Sequence, residues 1–279
     1  MKKLLALIVF LTGSAAALTC VQAAPPPSTS EFPYRSQYLD VAIMETAELN
    51  KRFNDVIVVD VRSAYEYQTL RIKDSINVVL GTRSFLDEIR KLRDQSRKPI
   101  VFYCNGKTCR KSYDAVLVAQ SARIPDTFAY DAGVFDWAKA YPERAVLLNK
   151  SPVRPEDLIS DKAFKERMLD AKDFAARVGP NSLVLDVRDR VQRDFALFPF
   201  KESRAQLSET DKIDATIEQA LTGTKTLLVY DAAGHQVRWF QYYLESKGVR
   251  DYYFMKNGAQ GYFDATLGKV SLGQDAKKK

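Results

Sequence analysis

Two apolar runs, Val56-Ile-Val-Val-Asp60-Val-Arg62 and Leu183-Val-Leu-Asp186-Val-Arg188, end in the same Asp-Val-Arg triplet and lie 126 positions apart. Runs this short and this continuously apolar read as strands buried on both faces, the environment of a parallel sheet covered by helices. The repetition extends further. Asp231, closing Leu227-Leu-Val-Tyr230, stands 127 positions after Cys104, which closes Val101-Phe-Tyr103, and Gly258 stands 125 after Gly133. A chain of 279 residues with this period divides into two like units, 38–149 and 150–272, joined near Lys150-Ser-Pro-Val-Arg-Pro155.

Within the first unit, helical and strand patterns alternate. The spacing predicts a helix over Val41–Phe53, a helical turn over Ser63–Tyr67, and a turn and short strand over Arg71–Val79. A further helix over Phe85–Leu92 is stopped by Pro99, and the strand from Ile100 leads through a loop into a helix from about Lys111. Thr127–Tyr130 reads as the last strand, running into Ala132-Gly-Val-Phe-Asp-Trp137. Alternation of this kind places the chain in the α/β class.

Chemistry concentrates in the loop Cys104-Asn-Gly-Lys-Thr-Cys-Arg110. A thiol at the top of a strand, followed by a glycine-containing loop and a helix start, faces backbone N–H groups and the positive end of the helix dipole. Lys107, Arg110 and Lys111 add positive charge, and a thiol in such surroundings ionises more readily than a free one. Cys104 is therefore the candidate nucleophile rather than a small core residue. At the matching place the second unit has Asp231, within Asp231-Ala-Ala-Gly-His-Gln-Val-Arg238. A carboxylate does not do thiolate chemistry and repels anionic substrates, so the second unit is expected to be inert.

The ends of the chain carry separate signals. Residues 1–23, with Met1-Lys-Lys, an apolar core Leu4–Leu11 and Val21-Gln-Ala23, read as a secretory signal peptide, and export to the periplasm is expected. A retained anchor or a lipid on Cys20 are the rival readings of that stretch. Residues 24–37 read as a Pro/Ser-rich tether and 273–279 as a solvated basic tail. The net charge of +7 comes from cations mixed with acids along the sequence, with no arginine-rich run interleaved with aromatics. That pattern suits small anions and argues against a nucleic-acid partner, and after signal cleavage no membrane association is expected.

Val59-Asp60-Val-Arg62, Glu66, the turn Arg71-Ile-Lys-Asp-Ser-Ile-Asn77, Tyr103-Cys104-Asn-Gly, and Gly133 with Trp137 together resemble the rhodanese (sulfurtransferase) domain, in order over 38–145. The second half resembles a degenerate copy over about 151–270. The resemblance implies two domains, each a doubly wound parallel sheet flanked by helices. It implies that Cys104 takes the outer sulfur of thiosulfate or a similar anionic donor as a persulfide and hands it to cyanide or a thiol, with no cofactor. By the match, Asn105, Gly106, Lys107, Thr108, Cys109 and Arg110 form the substrate cradle, Lys107 and Arg110 holding the donor's oxygens. Asp60 and Arg62 brace the loop, and Trp137 and Phe135 belong to the core. The chain departs from the family in two respects. Many two-domain members carry the active cysteine in the second domain, and the turn Arg71-Ile-Lys-Asp-Ser lacks the His and Gly-type residues often seen there.

Cys109 has three readings: it fills the base of the loop, it closes a disulfide with Cys104, or it attacks a Cys104 persulfide. A metal site is not expected, because the one histidine, His235, reads as a loop residue in the other half. Beside sulfur transfer stand three alternatives. These are a thiol-redox protein using Cys104 and Cys109, a non-catalytic binding module with a protein partner on the second domain, and a phosphatase or arsenate-reductase-like enzyme. The last uses the spacing Cys104-x5-Arg110, with Asp60 or Asp114 as the acid.

Overall fold

The computed structural model describes residues 31–193 and 195–267, so the signal segment, the first part of the tether and the basic tail lie outside the described residues. Among the described residues eleven strands are formed. They are β1 (Ile57–Asp60), β2 (Leu70–Ile72), β3 (Ile76–Asn77), β4 (Ile100–Tyr103), β5 (Thr127–Tyr130), β6 (Ala145–Leu147), β7 (Met168–Leu169), β8 (Ser182–Asp186), β9 (Glu202–Arg204), β10 (Thr226–Tyr230) and β11 (Tyr252–Met255). The helices of the first half are α1 (Thr46–Lys51), α2 (Ala64–Thr69), α3 (Phe85–Gln95), α4 (Lys111–Ser121) and α5 (Gly133–Ala140). Those of the second are α6 (Asp161–Lys165), α7 (Ala171–Ala176), α8 (Thr210–Thr222), α9 (Val237–Ser246) and α10 (Gly258–Leu267).

The fold is α/β, with parallel sheets flanked by helices. One sheet has the order β3-β1-β4-β5 and the other β9-β8-β10-β11-β7, so the four shared positions run in the same sequence. The registers agree too: Asp60 lies beside Tyr103 on β4, and Asp186 beside Tyr230 on β10. Where the second sheet adds β7 against β11, the first has only the bridge of Ile43 to Ala129. All four residues of β4 are buried, as a strand covered on both faces requires.

Three expectations change. The helix expected over Val41–Phe53 shrinks to α1, because Ala42 and Met44 exchange backbone hydrogen bonds with Ala129 and hold Ile43 extended at the sheet edge. Thr127–Tyr130 is not the last strand of the first half, since β6 follows and pairs antiparallel with β2. The tether is structured over its described part. Phe32 is buried, Arg35 forms ion pairs with Asp131 and Glu45 at 2.7 Å each, and Tyr34 lies edge-on to Tyr113. A proline-rich composition does not reveal that one buried aromatic and one buried carboxylate partner suffice to dock such a segment.

The halves share a core. Trp239 and Tyr242 on α9 belong to the same apolar cluster as Trp137 and Tyr103. Phe135 stacks on Trp239 at 5.2 Å, and α2 packs on α9.

Candidate active site

The site grows from the end of β4. Its last residue, Tyr103, pairs with Asp60, and the chain turns at Cys104, whose carbonyl accepts the Val134 N–H at 3.1 Å and so ties the loop to α5. Gly133 makes this approach with φ +74°, and a Cβ there would overlap the backbone of Asn105 and Gly106. Only glycine meets both demands.

Asp60 and Arg62 are fully buried and brace the loop. The Arg62 guanidinium donates to Asp60 Oδ2 at 2.6 Å and Oδ1 at 2.9 Å, to the Leu70 carbonyl at 2.5 Å, and to Asn105 Oδ1 at 3.2 Å. Asn105 passes the connection on, its Nδ2 donating to Glu66 Oε1 at 3.0 Å, while Glu66 Oε2 accepts from the Ser63 backbone and hydroxyl. Breaking one partner of such a pair strands a buried charge. Burial weakens Arg62's hold on its proton, but the Asp60 charge and hydrogen bonds more than reverse this and the pKa is raised. Burial likewise favours neutral Glu66, yet the Arg62 charge and the bonds from Asn105 and Ser63 prevail and keep its carboxyl below the usual range. Sequence reasoning quoted Glu66 but gave it no role. Its signal was the Ser63-x-x-Glu66 capping box at the start of α2.

The state of Cys104 differs from expectation. Rather than standing open among amide hydrogens, it is 1 % exposed and disulfide-bonded to Cys109, with Cα atoms 6.4 Å apart. Among the described residues no backbone N–H donates to its sulfur, whose one polar contact is the Cys109 carbonyl at 3.3 Å. A thiol five positions away satisfies the sulfur by a covalent bond instead of by dipoles. Cys109 is half-buried, its N–H closing a turn on the Gly106 carbonyl at 2.8 Å.

Two of the three expected cations, Lys107 and Arg110, are engaged by carboxylates. The Lys107 ammonium pairs with Glu31 and with Asp136 at 3.1 Å, the Glu31 hydrogen bond chiefly raising its pKa. Arg110 stands largely exposed before α4 and reaches Asp114 at 3.3 Å, while Thr108 points outward and Gly106 is half-buried. Trp137 is core, as expected. Phe135 packs half-buried against the same core cluster and also lines the cleft beside Trp239.

At the matching place of the second half, Asp231 is 2 % exposed. Its Oδ1 accepts the N–H groups of Ala233 at 3.1 Å and of Gly234, and its Oδ2 those of Gln236 at 2.6 Å and Val237 at 3.3 Å. The loop and the first turn of α9 therefore build an anion nest that the chain's own carboxylate fills. Beneath it, Arg188 and Asp186 pair at 2.8 Å as Arg62 and Asp60 do.

Between the two loops lies a cleft of about 1450 Å³. Asn105 and Cys109 line one side, His235 and Arg238 the other, and Phe135 with Trp239 the apolar floor, whereas Cys104 does not reach it. Arg238 pairs with Asp161 at 2.5 Å and lies 4.7 Å over the Phe135 ring.

Residues 45–140 match the family described as the rhodanese-like domain. The thiosulfate sulfurtransferase GlpE of Pseudomonas savastanoi pv. phaseolicola is 33 % identical over 95 residues, covering 34 % of this chain and 84 % of its own. The tRNA uridine(34) hydroxylase of Cytophaga hutchinsonii is 30 % identical over 97 residues, and the chain spans only 30 % of its length. Among solved structures, a thiosulfate sulfurtransferase from Pseudomonas aeruginosa aligns over 81 % of this chain and 42 % of its own, at 16 % identity and a TM-score of 0.37. Because the match to the first of these relatives spans most of that relative's length, the chain belongs to the rhodanese-like domain family.

Proposed function

We propose that the protein is an exported sulfurtransferase that carries sulfane sulfur on Cys104. Membership of the family and the name of its sulfurtransferase relative support the reaction class. The observation that carries the reading is the place of Cys104: at the end of β4, before an 11-residue helix, on a loop hung from the buried Asp60–Arg62–Asn105 brace. Once the disulfide is reduced and the Cys104–Arg110 loop shifts to bring the buried sulfur to the cleft, the thiolate attacks the outer sulfur of thiosulfate or a similar donor. The S–S bond of the donor breaks, sulfite leaves, and the persulfide passes its sulfur to cyanide or a thiol. The second half acts as a non-catalytic copy, its nest already holding Asp231, and serves to wall the cleft and present a surface to a protein partner.

The phosphatase or arsenate-reductase reading loses support because its candidate acids are committed, Asp60 to Arg62 and Asp114 to Tyr38 and Arg110. The test is intact mass after reduction and exposure to thiosulfate. With Cys109 replaced by Ser, Cys104 is expected to gain about 32 Da as one added sulfur and to transfer it to cyanide, and a Cys104→Ser protein that keeps the transfer would refute the reading.

A further inference from the structure

We propose that Cys109 is a second catalytic thiol, which discharges the Cys104 persulfide as hydrosulfide and makes a dithiol the reductant that the protein consumes. The inference rests on the sulfur transfer at Cys104 proposed above. Two observations carry it. The Cα separation of 6.4 Å lies within the span a disulfide closes without backbone movement, so Cys109 can reach the inner sulfur of a persulfide at position 104. The two residues are also unequally placed, since Cys104 is 1 % exposed within an apolar cluster while Cys109, packed against the same cluster, is half-buried and lines the cleft.

The steps balance. Thiosulfate and the Cys104 thiolate give the Cys104 persulfide and sulfite. The Cys109 thiolate then attacks the inner Cys104 sulfur, the bond to the outer sulfur breaks, and hydrosulfide leaves with the electron pair. The sulfane sulfur is reduced and the two cysteine sulfurs are oxidised to the disulfide. A dithiol attacks the Cys109 sulfur, the one that faces the cleft, and Cys104 departs as thiolate. The dithiol's second thiol closes on the first, returning Cys109 as a thiol. Overall, one thiosulfate and one dithiol give sulfite, hydrogen sulfide and the cyclic disulfide of the reductant.

The experiment uses the full chain, reduced and freed of reductant under anaerobic conditions, then mixed with thiosulfate. The expected result is one equivalent of hydrosulfide per chain, loss of the Cys104 and Cys109 thiols to alkylation, no lasting sulfur adduct, and many turnovers once dithiothreitol is added. Cys109→Ser is expected to hold the added sulfur on Cys104 and release no hydrosulfide. A wild-type protein that keeps the adduct, with Cys109 still alkylatable, overturns the role of Cys109 while leaving Cys104 as the sulfur carrier. Sulfur uptake by neither protein overturns both. The wild-type arm decides the matter by itself should Cys109→Ser fail to fold.

Discussion

Asp231→Ala empties the nest of the second half, and the structure says what that costs. Four backbone N–H groups lose their acceptor, those of Ala233, Gly234, Gln236 and Val237. Ala233 is exposed and Gly234 half-buried, so water can replace the carboxylate there; Val237 is fully buried and Gln236 half-buried at the helix start. Hydrogen bonds to charged groups contribute about 1.5–3 kcal/mol each, and the two poorly replaced ones set the loss at about 3–6 kcal/mol. Urea unfolding followed by the fluorescence of Trp239, two residues beyond Val237 on α9, reads it directly. Formate, a carboxylate small enough to enter the emptied nest, is expected to restore part of the loss, since a ligand of the folded state alone stabilises it. A loss below about 1 kcal/mol, with no response to formate, would refute the claim that this carboxylate holds the loop together.

Gly133→Ala is expected to displace the Asn105–Gly106 backbone and abolish sulfur uptake on Cys104 in a chain that still folds by circular dichroism. Trp239→Ala is expected to cost about 3–5 kcal/mol in urea, because it opens a cavity in the core shared by the two halves. Glu66, held below its ordinary value of 4.5, contributes stability at pH above that value. The contribution is lost as pH falls through the depressed folded pKa, so Glu66→Gln is expected to flatten the acid limb of a stability-against-pH curve. Asn105→Ala breaks the link from Arg62 to Glu66 and is expected to lower the rate of sulfur transfer more than the stability, measured by turnover with thiosulfate and cyanide.

Much of the architecture was legible because it rests on local periodicity. The apolar runs ending at Asp60 and Asp186 implied buried parallel strands, and the two sheets indeed share one strand order. The loop from Cys104 to Arg110 was equally legible as the place where a strand becomes a helix. The readings that failed were those that depended on contacts between distant residues. Ile43 looked helical by spacing and became a strand edge because Ala129, 86 positions on, exchanges hydrogen bonds with its neighbours Ala42 and Met44.

What the sequence alone determined is the fold class and the identity of the thiol and carboxylate that begin the two loops, since each follows from residue type and spacing. What only the tertiary structure decided is the state of those groups. Whether Cys104 faces amides or Cys109, whether Asp231 repels an anion or fills the nest itself, and which acids engage Lys107 all depend on distances of a few ångströms between groups whose separation along the chain says nothing about their approach.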